Sequence, residues 1–260
     1  MTWDPQQYLR YADERSRPFH ELVARIPVAG ARLVYDLGCG PGELTASLAG
    51  RWPAATIVGI DNDEAMVSAA QALANRSVRF ERGDIADWSP RGAPDVVIAN
   101  ASLQWVPQHR QLLPVWIEQL AAGGALAFQV PGNFEDPHHL AIGQLLRSPP
   151  WDRLPALVGL DDRRARASEV GEYLEQLATM PEVAGVDAWV TEYQHILHGS
   201  DPVLEWVRGT ALRPVLARLD TSQQTDFCAQ LGAMLRELFP SSSWGTRFPF
   251  RRIFVVAVRR

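Results

Sequence analysis

Val34-Tyr35-Asp36-Leu37-Gly38-Cys39-Gly40-Pro41-Gly42-Glu43 decides the fold. Leu33 to Leu37 reads as a buried strand, which breaks into a turn of three glycines. A short helix bearing Leu44 and Leu48 follows. Missing side chains let the backbone bend sharply there and approach a ligand closely. A strand that enters a helix through such a turn is the opening unit of a doubly wound α/β sheet, with the ligand at the carboxyl edge.

The chain continues in the same rhythm. Thr56 to Ile60, Val78 to Phe80, Asp95 to Ala99 and Ala125 to Val130 read as strands. Between them lie a helix capped by Asp63 with Met66, Ala70 and Leu73, and a helix striped by Leu112, Leu113, Trp116, Ile117 and Leu120 that ends at Gly123-Gly124. This alternation predicts a mostly parallel sheet with right-handed crossovers. A helix starting after Ser16, with Pro18 near its start, precedes the first strand. Val186 to His198 reads as a further strand, Phe227 to Leu238 as a helix and Ile253 to Val258 as a terminal strand. Ser241-Ser242-Ser243 reads as a loop. The expected organisation is one domain over 1–260: an N-terminal helical lid (1–30), a cofactor-binding core (31–130), a cap insertion (131–182) and C-terminal elements that complete the sheet and acceptor pocket (183–260).

The turn does not suit a dinucleotide. A G-x-G-x-x-G loop would put its third glycine at position 43, beside a pyrophosphate. Glu43 stands there, and a carboxylate in that slot is repulsive. The acid just upstream, Asp36, favours a ligand with a cationic amino-acid end. S-adenosylmethionine carries both an ammonium and a sulfonium. Asp61 ends the second strand, where it can accept hydrogen bonds from both ribose hydroxyls. Asp84, in Gly83-Asp84-Ile85, is placed to accept from the adenine amino group, and Asn100 follows the fourth strand. The cofactor residues expected are thus Asp36, Gly38, Cys39, Gly40, Gly42, Asp61, Asn62, Asp84, Ile85 and Asn100. Cys39 is read as loop packing, not as a nucleophile, because such a cofactor brings the electrophile.

The 260 residues carry a net charge of −5, which disfavours a nucleic-acid partner. All 25 basic residues are arginine. Lysine chemistry is therefore excluded, and any anion site must use Arg, His or backbone N–H groups. Two cysteines make no disulfide framework, and no Cys/His cluster has zinc spacing. Met1-Thr2-Trp3-Asp4 lacks the layout of a signal peptide, and no stretch approaches the roughly 20 apolar residues of a membrane span. A soluble, cytoplasmic protein is expected.

These motifs resemble the class I S-adenosylmethionine methyltransferases, which implies a seven-stranded sheet whose final strand, around Val255, is antiparallel. Asn100-Ala101-Ser102-Leu103-Gln104-Trp105 followed by Val106-Pro107-Gln108-His109 resembles the trans-aconitate 2-methyltransferase family. So do Trp3-Asp4-Pro5, Tyr8-Leu9, Glu14-Arg15-Ser16-Arg17-Pro18, Gly209-Thr210-Ala211-Leu212-Arg213-Pro214 and Phe250-Arg251-Arg252-Ile253-Phe254. The likeness spans nearly the whole chain and is thinnest over 135–170. It implies methylation of one carboxylate of a small unsaturated tricarboxylic acid, with a role in detoxification.

A carboxylate is ionised at neutral pH and needs no general base. No catalytic acid or base is therefore expected, only positioning, with Gln104 and Trp105 near the transferred methyl. A polyanionic acceptor needs arginines, whose forks match carboxylates. Arg15, Arg17, Arg213, Arg251 and Arg252 are the candidates; Arg17, Arg213 and Arg252, with Gln104 and Trp105, are the substrate residues expected. Trp105 serves as core packing or pocket wall, and His109 as a packing or hydrogen-bonding group. Tyr8 and Tyr11 belong to the lid. The alternatives are a phenol, hydroxyl or amine acceptor, or a protein that binds the cofactor without catalysis. A nucleic-acid enzyme acting on amino-adenine is disfavoured by Asn100-Ala101-Ser102, and a nicotinamide enzyme by Glu43.

Overall fold

The computed structural model describes residues 12–160 and 167–260, with the side chains of the first helix described from Ser16 onward. Tyr8, Tyr11 and the side chain of Arg15 lie outside the described residues.

The core runs α1 (Ala12–Ala24), β1 (Leu33–Leu37), α2 (Glu43–Arg51), β2 (Thr56–Asp61), α3 (Glu64–Ala70), β3 (Val78–Arg82), β4 (Val96–Asn100), α4 (His109–Gln119) and β5 (Ala125–Pro131). It continues with α5 (Pro137–Leu146), α6 (Val170–Ala178), β6 (Val183–Leu197), α7 (Pro202–Arg208), α8 (Arg213–Leu216), α9 (Thr221–Leu238), β7 (Ser241–Ser242) and β8 (Gly245–Arg259). Strand order is β3-β2-β1-β4-β5-β8-β6, with the two-residue β7 pairing on β8. The strands from β3 to β5 are parallel, and β8 is antiparallel to β5, Phe128 facing Val255. The central strands are near-continuous apolar runs because helices cover both faces of a parallel sheet. Val96 to Ala99 and Ala125 to Val130 are all at most 1% exposed.

Local chemistry sets the junctions. Asp63 caps α3, accepting from the N–H groups of Ala65 and Met66 at 2.9 and 3.2 Å. Asp95 accepts from Arg32 N and Leu33 N at 2.7 and 2.9 Å, which ties the entry of β1 to that of β4. Leu113, Trp116 and Ile117 of α4 pack into the same cluster as Tyr35, Val97, Phe128 and Val255.

The chain forms two compact units. The first is Met1–Gly132, Arg166–Thr191 and Arg252–Arg260; the second is Asn133–Ala165 and Glu192–Arg251. This contact division does not follow the bounds 131–182 and 183–260 read from composition. Within the second unit α9 packs on α5 and α7. An aromatic group there joins Trp206, Phe248 and Phe250, with ring centroids 5.6–6.0 Å apart.

Several boundaries differ from the sequence reading. The first helix is already formed at Ala12, so Ser16 does not start it and Pro18 lies inside it, where one intrahelical bond is lost. Terminal strand β8 begins at Gly245, not Ile253, and passes through Pro249. Ser241 and Ser242 pair with Thr246 and Gly245, so the serine run is one arm of a hairpin. Among the described residues no helix is long and apolar enough to cross a membrane.

Candidate cofactor and acceptor site

The glycine turn is built against its neighbours. Gly38 has φ +81°, and a Cβ there would stand 2.3 Å from that of Ser102. No side chain fits, and the left-handed backbone also favours glycine. Gly38 N and Cys39 N both donate to Ile60 O, at 2.7 and 3.0 Å. Gly40 N donates to Asp61 Oδ2 at 2.9 Å. A Cβ on Gly40 would meet nothing within 4 Å, so this part of the turn borders open space. Gly42 is the N-cap of α2, and Cys39 is buried within the turn.

The acids flank this turn. Asp61 accepts from Gly40 N with one oxygen and from Asp63 N with the other, at 2.9 Å each. A carboxylate has about four acceptor positions, so each oxygen keeps one for a ligand hydroxyl. Asp36 is 3% exposed and accepts from Thr45 Oγ1 at 2.5 Å. Burial, partly offset by the Thr45 bond and reinforced by Asp61, pushes its carboxyl up to about 6. Burial also raises Asp61, against the pull of its backbone donors, and raises the Cys39 thiol. A buried acid raised by burial and by a neighbouring carboxylate gains from a cation and loses from a phosphate. Asp84 is exposed; its Oδ1 accepts from Ala86 N at 2.9 Å and its Oδ2 from Asn62 Nδ2 at 3.4 Å. Ile85, the next residue, is buried.

Beyond β4 the backbone is strained. Ala101 has φ +52°, the only described non-glycine residue on the positive side. That conformation costs roughly 1–2 kcal/mol, and such strain gathers at functional sites. Two bonds maintain it: Ala101 N donates to Gln129 O at 2.9 Å, and its carbonyl accepts from Gln104 Nε2 at 2.6 Å. Ser102 Oγ donates to Leu37 O at 2.7 Å, which joins this turn to the glycine turn. Asn100 Oδ1 and Gln104 Oε1 are buried with no hydrogen-bond partner among the described residues. Trp105 is 41% exposed, so it is not a core side chain.

His109 is 2% exposed. Its Nδ1 lies 2.8 Å from Val106 O and its Nε2 2.7 Å from Tyr173 Oη. A carbonyl only accepts, so Nδ1 carries the proton and Nε2 accepts from the Tyr173 hydroxyl, which in turn accepts from Ser168 N at 3.1 Å. Burial lowers the imidazole pKa and pushes the Tyr173 phenol up to about 12.

The arginines differ widely. Arg17 is exposed and pairs with Glu21 at 2.8 Å, one turn along α1. Arg252, in the first unit, is 3% exposed, and its Nη1 donates to Gln129 Oε1 at 3.0 Å. Arg213 opens α8 in the second unit and is half-buried. Arg251, also in the second unit, lowers the carboxyl of Asp136, which burial and Glu192 push up to about 6. Thr45, Ser102, Gln129 and Tyr173 were not foreseen. Only Gln129 carried a signal, as the one polar residue in an apolar strand.

The turn fits S-adenosylmethionine. Its donor set is acidic, with backbone N–H groups and no basic side chain among Asp36, Asp61, Asn62, Asp84 and Asn100. Space is open beside Gly40, and Asn100 offers an unmatched acceptor.

Residues 34–124 match the family described as a methyltransferase domain. The trans-aconitate 2-methyltransferase of Streptomyces avermitilis is 46% identical over 264 residues, covering 98% of this chain and 96% of that protein. Its namesake from Mycobacterium sp. (strain KMS) is 48% identical over 258 residues, covering 98% of each. Among solved structures, the YcgJ protein of Bacillus subtilis aligns with a TM-score of 0.61 at 15% identity, covering 94% of this chain and 98% of that one. Phosphoethanolamine N-methyltransferase 2 of Haemonchus contortus, in complex with S-adenosyl-L-methionine, aligns at 0.53 and 12%, covering 94% and 52%. At such identities these structures bear on the fold alone.

Proposed function

Because this chain belongs to the trans-aconitate 2-methyltransferase family, we propose that it methylates one carboxylate of trans-aconitate, giving a monomethyl ester, with S-adenosylmethionine as donor. The observation that carries this reading is the identity of 46–48% over 98% of the chain. When bound, S-adenosylmethionine supplies an electrophilic methyl group on a positive sulfur.

The residues of this chain bind, orient and exclude water. Asp61 would hold the ribose through its two remaining acceptor positions. Asp84, Asn62 and Ile85 would hold the adenine end, and Gly38, Cys39, Gly40 and Gly42 the backbone-lined middle. Asn100 would hold the amino-acid end, balanced through space by the buried charge of Asp36. Gln104 and Trp105 would flank the acceptor, with Arg17, Arg213 and Arg252 meeting its carboxylates. Reaction cancels opposite charges, so a dry site favours it. Orientation contributes up to roughly 7–11 kcal/mol at its limit.

The acceptor carboxylate, with a pKa near 4, is ionised at neutral pH without help. His109 supports a mechanism without a base, since both ring nitrogens are already engaged. The enzyme is read as soluble and cytoplasmic, acting on a free small anion without nucleic acid. Residues 1–30 would serve as lid, 31–130 as cofactor core, 131–182 as cap, and 183–260 as the completion of sheet and pocket.

The test is turnover. Purified protein with S-adenosylmethionine and trans-aconitate should yield a product heavier by one methylene on mass spectrometry, while phenol and amine acceptors yield none. Methylation of a phenol or amine in preference to the tricarboxylate would overturn the assignment.

A further inference from the structure

Gln129 is the one polar side chain of β5, in the run Ala-Leu-Ala-Phe-Gln-Val-Pro, and it is fully buried. On β8 it faces Phe254, and Arg252 lies two residues away on the same face of the sheet. Arg252 Nη1 donates to Gln129 Oε1 at 3.0 Å. A guanidinium has donors only, so this bond fixes which way the carboxamide lies. The oxygen faces Arg252 and the NH2 group is turned away from it. That Nε2 is buried and has no hydrogen-bond partner among the described residues. On the other flank Gln129 is in register with Asn100, the last residue of β4. The carboxamide therefore sits level with the strained turn that carries Gln104 and Trp105, where the acceptor is expected.

We propose that Gln129 is a substrate-binding residue whose Nε2 donates to a carboxylate oxygen of the acceptor, the carboxamide being oriented by Arg252. A buried donor that meets no acceptor among the described residues is matched by an anionic oxygen. A phenol or amine nucleophile, which must lose its own proton, gains less from another donor. This assignment rests on the acceptor proposed above and adds a residue that the sequence motifs did not include.

Gln129→Glu keeps the size of the side chain and still accepts from Arg252, but it removes the donor and turns a negative charge toward the acceptor. Gln129→Met removes the donor without adding charge. Steady-state kinetics on both should show KM for trans-aconitate raised roughly tenfold or more, the larger rise in Gln129→Glu. Calorimetric S-adenosylhomocysteine affinity should stay within about twofold, where RT ln 2 is small against the energy of one charged hydrogen bond. If Gln129→Glu shows no cooperative melting transition, Gln129→Met decides. An unchanged KM in a folded variant overturns the assignment. So does a loss of cofactor affinity as large as the rise in KM, which would mark a purely structural role. A wild-type protein that binds S-adenosylhomocysteine yet leaves trans-aconitate untouched would overturn the acceptor reading and Gln129 with it. An active wild type with variants of normal KM would overturn Gln129 alone.

Discussion

The N–H of Gly40 donates to Asp61 Oδ2 at 2.9 Å, so the carboxylate that ends β2 also holds the middle of the glycine turn. Its other oxygen holds Asp63 N, the residue that caps α3. One side chain thereby sets the turn and the next helix, and we propose that its remaining lone pairs meet the ribose. Replacing Asp61 by Ala should raise the dissociation constant of S-adenosylhomocysteine by tenfold or more, since each charged hydrogen bond lost is worth about 1.5–3 kcal/mol. In the wild type, S-adenosylhomocysteine at about 100 times its dissociation constant should add roughly 2.7 kcal/mol of stability, and NAD none. Calorimetry and thermal melts read both. An unchanged constant in the variant would remove Asp61 from the ribose.

The order of elements from β1 to β5 was legible because each strand is a short apolar run and each helix a stripe, with Asp63 and Gly123-Gly124 as punctuation. The ends were harder. Pro249 splits the pattern of β8, and a proline within a run ordinarily demotes it; here the strand runs through it from Gly245. Asp36 and Asp61 could be found from spacing along the chain. Their different states could not, because the Thr45 bond and the burial that set Asp36 apart come from packing. Tyr173 was hidden for the same reason, and Gln129, though visible as a polar residue in an apolar strand, did not reveal its bonding. Their partners, Arg252 and His109, are far away in sequence.

Tyr173 donates to the neutral His109, so Tyr173→Phe should leave Nε2 buried without a donor. That change should cost about 1–3 kcal/mol in urea denaturation. It should change the maximal rate little, and His109→Asn should lower it less than tenfold. Loss of a general base typically costs 10²- to 10⁴-fold. A drop of that size in His109→Asn, with a normal melting temperature, would argue for an acceptor that must be deprotonated.

Acid should weaken the fold partly through His138, in the second unit. This imidazole is 2% exposed, and burial pushes its pKa down to about 3. The unfolded chain therefore binds a proton from about pH 6.5 downward that the folded chain refuses. Its contribution is complete above 6.5 and is lost as pH falls toward 3, by about 1.4 kcal/mol per pH unit. Asp36 and Asp136, both pushed up to about 6, act in the opposite sense: they favour the fold below about pH 4 and lose that benefit as pH rises to 6. Whole-protein curves mix these effects, whereas the difference between wild type and His138→Gln isolates the histidine. Urea midpoints from pH 7 to 4.5 should show that difference shrinking as pH falls. A pH-independent difference would mean that His138 is not held neutral.

Arg213 offers the sharpest test of the acceptor class. A protein with net charge −5 and no lysine has arginine as its one permanently cationic side chain to meet a tricarboxylate. Burying even one of those charges unmatched is costly. Arg213 begins α8, its N–H donating to Thr210 O at 3.2 Å, with Leu212 and Val215 buried on either side. The short helix thus fixes the backbone from which a long, half-buried side chain extends. Arg213→Ala should raise KM for trans-aconitate by tenfold or more, the equivalent of at least about 1.4 kcal/mol, while S-adenosylhomocysteine affinity hardly moves. Arg213→Lys should recover only part of the loss, because an ammonium keeps the charge but not the planar fork that grips two carboxylate oxygens. Full recovery by lysine would mean that charge alone is read. If KM stays normal in Arg213→Ala, the residue plays no part in acceptor binding, and the other candidate arginines, Arg17, Arg251 and Arg252 among them, are the next to substitute.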